Sequence, residues 1–192
     1  VQRDKSLQAA VVSIDNKSGA VRVMIGGTSY EKSQFNRALS TNRMVGSSFK
    51  PVVYMSAMQN LGYHPGTVLV DEPMLFELPH NKKWAPANYN DEYMGPVVLK
   101  KALAKSLNVI SAKLIFKVKP AEVVKTARKF GFMSPIRENF SLALGATGAS
   151  PLELASAYST IANLGEHIDP FYVSKIEDYQ GNVLYGQSPI VS

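Results

Sequence analysis

The chain has 192 residues, of which 45% are apolar, and a formal net charge of +6. These values allow a buried core of one or two domains, and no segment is long and apolar enough to predict a membrane span or a secretory leader. The basic residues are scattered without aromatic interleaving, and His64, His80 and His167 lack the spacing of metal ligands. We therefore expect no nucleic-acid partner, no metal and no other cofactor.

The first 27 residues predict two strands. Apolar and polar residues alternate over 9–14 and 20–25, on either side of the turn sequence Asp15-Asn16-Lys17-Ser18-Gly19. Two alternating runs around such a turn are typical of a β-hairpin. A polar connector over 30–45 follows the hairpin.

Helical periodicity with stop signals continues through most of the remaining chain. We predict helices at 47–61, 97–104, 109–116, 120–130 and 152–163, a loop region at 62–91, and a second hairpin with strands at 171–176 and 183–185. Along the chain this gives N-terminal strands with a connector (1–45), a mainly helical part (46–165) and a C-terminal hairpin (166–192).

Ser47 and Lys50, in Gly46-Ser47-Ser48-Phe49-Lys50-Pro51, form the most informative motif. A serine hydroxyl needs a nearby base to attack a carbonyl at neutral pH, and a lysine three residues later on a helix lies on the same face. Gly46 permits a tight entry turn, either serine can cap, and Pro51 is tolerated in a first turn. The alternative is a helix cap followed by a surface lysine. A second match, Ser29 and Lys32, lies in a turn-like stretch and predicts a solvated loop.

Ser106-Leu107-Asn108 is the second motif. Alternation places Ser106 and Asn108 on one side, where a hydroxyl can relay a proton and a carboxamide can both donate to and accept from an amide substrate. The alternative is a helix break in which both side chains bond the local backbone. The same pattern occurs in Ser40-Thr41-Asn42, just before the first motif.

These motifs resemble those of the transpeptidase domain of class A penicillin-binding proteins. The resemblance implies an α+β fold of the β-lactamase/transpeptidase type, with a helical subdomain packed on a partial antiparallel sheet. Similar stretches occur in the family's order over nearly the whole chain: 8–27, Phe35-Asn36-Arg37-Ala38, Trp84-Ala85-Pro86-Ala87-Asn88-Tyr89, 102–108, Ser141-Leu142-Ala143-Leu144-Gly145 and 151–158.

The resemblance also implies the roles of four side chains. Ser47 is then the acylated nucleophile and Lys50 its proton acceptor, while Ser106 and Asn108 line the cleft. The backbone N–H of Ser47 is expected to donate to the oxyanion of acyl transfer. We leave Trp84, Asn88 and Tyr89 outside the catalytic set, because packing and loop bonding explain them equally well.

One departure from the family is a missing third motif, Lys-Thr/Ser-Gly, on a strand after Asn108. Lys17-Ser18-Gly19 matches it literally but precedes Ser47 and lies in the predicted hairpin turn, and Lys125-Thr126-Ala127 lacks the glycine. We therefore expect a fragment of a larger protein, with later strands supplied from elsewhere. Such a fragment would have reduced activity, an unpaired hairpin edge and limited stability.

The function that the resemblance implies is a peptidoglycan D,D-transpeptidase that acts on stem peptides of glycan strands and is acylated by β-lactam antibiotics. It also implies an upstream glycosyltransferase domain, and a membrane anchor that holds the protein at the extracytoplasmic face of the bacterial cytoplasmic membrane. Two alternatives remain open. One is a D,D-carboxypeptidase or serine β-lactamase, which transfers the acyl group to water, and the other is a non-catalytic β-lactam sensor or scaffold.

Overall fold

The computed structural model describes residues 7–40 and 42–187, which form two compact units. Of the described residues, unit 1 combines 7–40, 42–43, 128–134 and 149–187, and unit 2 combines Met44–Ala127 and Pro135–Gly148. The predicted division at 1–45, 46–165 and 166–192 stays a prediction. Its two ends, 1–6 and 188–192, and Thr41 of the second S-x-N match lie outside the described residues.

Short strands alternate with helices along the described chain, and most of the strands form antiparallel pairs. No helix in these residues is long and apolar enough to cross a bilayer. The elements are β1 (Val11–Ile14), β2 (Val21–Ile25), α1 (Arg37–Ser40), β3 (Arg43–Met44), a 3₁₀ turn (Gly46–Phe49), α2 (Lys50–Leu61), β4 (Val68–Asp71), β5 (Phe76–Leu78), a 3₁₀ turn (Pro79–Asn81), β6 (Lys82–Trp84), β7 (Gly95–Val98), α3 (Leu99–Ala104), α4 (Asn108–Val118), α5 (Pro120–Lys129), a 3₁₀ turn (Phe140–Leu144), β8 (Gly148–Ala149), α6 (Pro151–Ala162), β9 (Lys175–Glu177) and β10 (Val183–Gly186).

Unit 1 contains both predicted hairpins. β1 pairs antiparallel with β2, as the alternating apolar runs predict, and β9 pairs with β10. The first strand of the second hairpin begins at Lys175, later than the predicted start at 171. The backbone N–H of Val21 donates to the carbonyl oxygen of Phe171 at 2.8 Å, which ties the end of the first hairpin turn to a later segment of the same unit. α6 contacts β1, so its half-buried face has a partner within the unit.

Unit 2 is built around α2 and α4, which pack against each other. Their apolar side chains recur at helical spacing and form most of a dry core, as expected for helices that are apolar around most of their surface. Its members are fully buried, among them Phe49, Val53, Ile110, Leu114 and Leu142. α2 ends at Gly62, whose left-handed φ of 66° is the usual helix stop.

An aromatic row in unit 2 fixes the β5–β6 hairpin against α4. Ring centroids lie 5.6 Å apart for Phe76 and Trp84, 4.9 Å for Phe76 and Phe116, and 5.0 Å for Phe116 and Phe140. Such contacts stabilise a hairpin that is too short to be stable by itself. They hold the chain in place just before the 85–91 loop, which reaches the site described below.

The structure differs from the prediction in the region between α2 and α3. The predicted loop at 62–91 contains three short strands, β4, β5 and β6. Val97 and Val98, predicted to begin a helix, instead pair with Leu69 and Val68 in the β4–β7 ladder. β-branched residues satisfy either periodicity over such a short run, and the long-range partner decides.

Candidate active site

The buried amino group of Lys50 is the centre of the candidate site. Lys50 is only 1% exposed. Its Nζ donates to the carbonyl oxygen of Ser106 at 2.5 Å, to the Ser106 hydroxyl at 3.0 Å and to Oδ1 of Asn108 at 2.7 Å. The structure thus brings three of the four predicted side chains together, although 56 and 58 residues separate them along the chain.

Ser47 lies one helical turn before Lys50, in the 3₁₀ turn that leads directly into α2. The backbone N–H of Lys50 donates to the carbonyl oxygen of Ser47, and residues three apart in such a turn face the same side. The Ser47 residue is exposed while Phe49 and Lys50 are buried. An exposed serine thus precedes a buried lysine by one turn at the start of the helix, and their sharing one face stays a prediction from the turn geometry.

The entry to this helix differs in detail from the prediction. Val45 and Phe49 occupy the N-cap positions of the 3₁₀ turn and of α2, so both serines lie inside the first turn. Pro51 lies in the first turn of α2, as predicted. Gly46 has a φ of 55°, which supplies the predicted tight turn.

The backbone next to Ser47 is held by a close approach of two glycines. The N–H of Gly46 donates to the carbonyl oxygen of Gly145 at 3.1 Å, and that of Val45 donates to Thr147 at 3.0 Å. A Cβ on Gly145 would lie 1.8 Å from the carbonyl oxygen of Gly46. Only glycine permits this contact, because the obstruction is backbone that cannot rotate away.

Ser106 and Asn108 reach Lys50 from the break between α3 and α4. Ser106 has a φ of 53°, the left-handed conformation that costs a non-glycine residue about 1–2 kcal/mol. This turn, rather than the predicted alternation of an extended chain, directs both groups to one point. The helix break of the predicted alternative is present, but its predicted side-chain bonds to the local backbone are not those observed. The Ser106 hydroxyl accepts from Lys50, and the Asn108 side chain bonds Lys50 and the carbonyl oxygen of Ala87.

Burial sets the charge state of the site. Desolvation lowers the pKa of Lys50 from 10.5 to about 8. Burial also raises the pKa of Tyr54, the other titratable residue of α2, to about 12. Lys50 is therefore the group on this helix that can lose a proton just above neutral pH.

The hydrogen bonds of Lys50 define what its two protonation states can do. An ammonium group has three donors, and all three have acceptors here. The backbone carbonyl of Ser106 and Oδ1 of Asn108 can only accept, so a neutral amine keeps these two bonds and retains a lone pair. That lone pair can take a proton from a hydroxyl, which is the property required of a general base.

Two buried residues behind Asn108 were not predicted as part of the site. Asn88 is 8% exposed and Asp71 is 1% exposed. Oδ1 of Asn88 accepts from the backbone N–H of Asn108 at 2.8 Å, and its Nδ2 donates to both carboxylate oxygens of Asp71 at 3.0 Å. Sequence patterns give no sign of these contacts, because they join separate loops and strands.

The other sequence matches are not among the hydrogen-bond partners described for Lys50. Lys32 of the second S-x-x-K match is exposed. Lys17-Ser18-Gly19 lies in the β1–β2 turn, where Oδ1 of Asp15 accepts from the N–H of Ser18 at 2.9 Å, and Lys125-Thr126-Ala127 lies in α5. Within residues 7–40 and 42–187, no cluster of three potential metal ligands occurs.

Comparison with known proteins identifies the family. Residues 9–192 match the model of the penicillin binding protein transpeptidase domain. Penicillin-binding protein 1A of Pseudomonas aeruginosa is 38% identical over 184 residues, which cover 95% of this chain and 22% of that relative. The chain thus spans less than a quarter of that relative's length.

Solved structures agree with this match. Penicillin-binding protein 1A from Haemophilus influenzae superposes with a TM-score of 0.88 at 36% identity, covering 96% of this chain and 28% of that one. PonA1 from Mycobacterium tuberculosis, solved in complex with penicillin V, superposes with a TM-score of 0.79 at 28% identity, covering 94% and 51%. The predicted fold class and the resemblance to class A proteins are confirmed, and the chain belongs to the penicillin-binding protein transpeptidase domain family.

Proposed function

We propose that this chain carries the acylation site of a peptidoglycan D,D-transpeptidase. Ser47 is the nucleophile, Lys50 its proton acceptor, and Ser106 and Asn108 hold Lys50 and contact the substrate. The observation that carries this proposal is the buried Lys50 amine, which three acceptors surround and whose pKa burial lowers to about 8. A lysine with no function in proton transfer would be unusual in such a place, because burying an amine costs free energy.

The first half-reaction forms an ester on Ser47. The Ser47 hydroxyl oxygen attacks the carbonyl carbon of the penultimate D-Ala of a stem peptide, and its proton passes to neutral Lys50. The tetrahedral oxygen accepts a hydrogen bond from the Ser47 backbone N–H. The peptide C–N bond then breaks, and Lys50 returns the proton, directly or through the Ser106 hydroxyl, to the departing D-Ala amine.

The second half-reaction transfers the acyl group to an amine of a neighbouring stem peptide. The amine nitrogen attacks the ester carbon, its proton passes through Lys50, and the C–O bond breaks so that Ser47 regains its hydroxyl. Asn108 assists in binding, because its carboxamide uses one N–H for Ala87 and one lone pair for Lys50 and still has one of each. These remaining positions suit the N–H and carbonyl of an amide substrate.

The proposal extends to the protein as a whole. Stem peptides of glycan strands are its substrates, and β-lactams acylate the same serine because their strained amide replaces the D-Ala peptide bond. Cross-linking of peptidoglycan places the site at the extracytoplasmic face of the cytoplasmic membrane. The Pseudomonas relative is more than four times as long as the matched region. That length leaves room for the glycosyltransferase domain and membrane anchor that the family resemblance implies.

The test is acylation by benzylpenicillin. The purified chain is incubated with the antibiotic, its intact mass is measured, and the modified peptide is mapped. Ring opening loses no atoms, so we expect an increase by the mass of one whole penicillin on Ser47, absent in Ser47→Ala. A stable adduct supports the transpeptidase, whereas its rapid release by water would favour a carboxypeptidase or β-lactamase. A folded chain without an adduct would overturn the catalytic assignment.

A further inference from the structure

The N-terminus of α4 is capped from a distant part of the chain. Leu107, at the N-cap position, has no side chain that can accept a hydrogen bond. Oδ1 of Asn88 takes this place, and accepts from the N–H of Asn108 at 2.8 Å and of Val109 at 3.3 Å. Unsatisfied N–H groups at a helix start are costly when buried, so this contact fixes where α4 begins.

The orientation of the Asn88 carboxamide is determined by whether each of its hydrogen-bond partners is a donor or an acceptor. Backbone N–H groups only donate, so the side that faces α4 must be the oxygen. The nitrogen then faces the Asp71 carboxylate, at 3.0 Å from each oxygen, and the carbonyl oxygen of Glu92 at 2.9 Å. A reversed amide would place two acceptors against each other and two donors against each other. Asp71 therefore prevents Asn88 from turning over.

Asp71 is itself held in place. It is the last residue of β4, opposite Gly95 in the β4–β7 ladder, and one of its carboxylate oxygens accepts from the N–H of Met94 at 3.0 Å. Asp71 is only 1% exposed, and hydrogen bonds to a buried carboxylate are electrostatically stronger than those in water. The chain of contacts thus runs from a paired strand through Asp71 and Asn88 to the first residue of α4.

The residue at the end of this chain is Asn108, which touches Lys50. Oδ1 of Asn108 accepts from Lys50 Nζ at 2.7 Å, while its Nδ2 donates to the carbonyl oxygen of Ala87 at 2.8 Å. The backbone N–H of Asn108 donates to Asn88, and the side chain of Asn108 donates to Ala87, the residue before Asn88. The 87–88 segment therefore controls both the position and the orientation of Asn108.

We propose that Asn88, held by Asp71, is a positioning residue that keeps Asn108 directed at Lys50 during acylation of Ser47. Neither Asn88 nor Asp71 contacts the reacting atoms, so their effect is exerted through Asn108. This inference rests on the proposed function for its kinetic consequence. Its structural part, the placement of Asn108, can be measured without any reaction.

The experiment compares Asn88→Ala with Ser150→Ala in the full chain. Both substitutions remove a side-chain oxygen that caps a helix, but Ser150 caps α6 in unit 1. NMR measures the exchange with water of the Asn108 side-chain amide protons and of the backbone N–H groups of Asn108 and Val109. A fluorescent penicillin gives the limiting acylation rate and the non-covalent dissociation constant separately.

For Asn88→Ala we expect at least tenfold faster exchange at Asn108 and Val109, and a limiting acylation rate at least tenfold lower with a dissociation constant changed less than threefold. Ser150→Ala keeps the wild-type values of all three. Unchanged exchange at Asn108 in Asn88→Ala would overturn the proposal, as would faster exchange with an unchanged acylation rate. If the wild-type chain is not acylated, the proposed function fails, and exchange at Asn108 alone decides the placement.

A charge exchange tests the link between Asp71 and Asn88. Asn88→Asp keeps an acceptor for α4 but places two carboxylates about 3 Å apart, which is unfavourable. Adding Asp71→Asn restores one donor and one carboxylate in reversed order. We expect slow acylation and fast Asn108 exchange in the single variant. In the double variant we expect partial recovery of both, because the carboxylate at position 88 still faces the carbonyl oxygen of Glu92 without a donor. A folded double variant that resembles the single one would overturn the role of Asp71.

Discussion

The first N–H groups of α4 and of α6 find their hydrogen-bond acceptors in different ways, α6 from its own first turn and α4 from a distant loop. In α6, four consecutive residues suffice: Ser150 Oγ accepts from the N–H of Glu153 at 3.2 Å, and Glu153 Oε2 accepts from the N–H of Ser150 at 2.8 Å. In α4, the acceptor comes from Asn88, 20 residues earlier. The local device stabilises a helix wherever the chain goes, whereas the long-range device also places a side chain beside Lys50.

The two caps are therefore expected to affect different properties of the protein, the free energy of unfolding for α6 and also the reaction rate for α4. Loss of the α6 cap is expected to change the free energy of unfolding and little else. Contacts around the start of α2 and α4 connect strands, loops and helices of unit 2, so their loss is expected to change the reaction as well.

Lys50→Met gives the largest effect. It removes the proton acceptor, so the acylation rate by penicillin is expected to fall by about 10²–10⁴. The control is Lys125→Met on α5, which removes the exposed bond to Glu122 but no contact of the site. Rates come from adduct formation with time, and circular dichroism checks the fold. Wild-type acylation of Lys50→Met would remove Lys50 from the mechanism.

Gly145→Ala tests the backbone contact beside Ser47. Its Cβ would lie 1.8 Å from the Gly46 carbonyl oxygen, so the Gly46–Ser47 segment must move. We expect both a lower melting temperature and acylation more than tenfold slower. Gly62→Ala is the control, since Gly62 has a similar φ of 66° but open space, and the left-handed conformation alone costs about 1–2 kcal/mol. Equal stability losses and equal acylation rates in the two variants would contradict a special role for the glycine contact.

The pH dependence of acylation follows the charge of Lys50. With its pKa lowered to about 8, roughly one tenth of the amine is neutral at pH 7, so the rate is expected to rise about tenfold from pH 7 to its plateau. The unfolded chain binds more protons than the folded one between about 8 and 10.5, so this group also makes the folded state more stable as pH rises through that range. Stopped-flow acylation from pH 6 to 9.5 measures the midpoint. A rate independent of pH over this range would exclude Lys50 as the titrating base.

Ser150→Ala is expected to cost about 1 kcal/mol of stability, the usual value for a lost N-cap. Because α6 is capped locally within unit 1, the acylation rate of the folded protein should stay within twofold of wild type. Urea unfolding and penicillin acylation give the two numbers. A large loss of acylation without unfolding would mean that local caps of unit 1 also control the site.

Glu153→Gln tests the same cap through pH. Burial favours the neutral acid, but hydrogen bonds from Ser150, Ser134 and Met133 outweigh it and lower the pKa of Glu153 below 4.5. The folded state therefore gains stability from this carboxylate above about pH 4.5 and loses it as pH falls through the lowered pKa. The difference in melting temperature between the wild type and Glu153→Gln should therefore shrink as pH falls through the lowered pKa of Glu153. A constant difference in melting temperature from pH 7 to 3 would refute the linkage.

Much of this protein can be derived from local patterns. Alternation around Asp15–Gly19 predicted the first hairpin, and helical periodicity with its stop signals located α2, α4, α5 and α6 to within a few residues. Ser47 and Lys50 are three residues apart on one turn, so helix geometry alone predicts that they share a face. These features depend on neighbours in the chain, which is why sequence reasoning found them.

The remaining features depend on partners that are far away in the chain. The burial of Lys50, the turn that directs Ser106 and Asn108 at it, the approach of Gly145 to Gly46, and the pairing of Val97 and Val98 as a strand all require packing between distant segments. The same holds for Asp71 and Asn88, whose residue types suggest ordinary loop bonding. Local sequence sets which groups are available, whereas close packing in unit 2 decides which of them lose water and meet, and that loss of water is what lowers the pKa of Lys50.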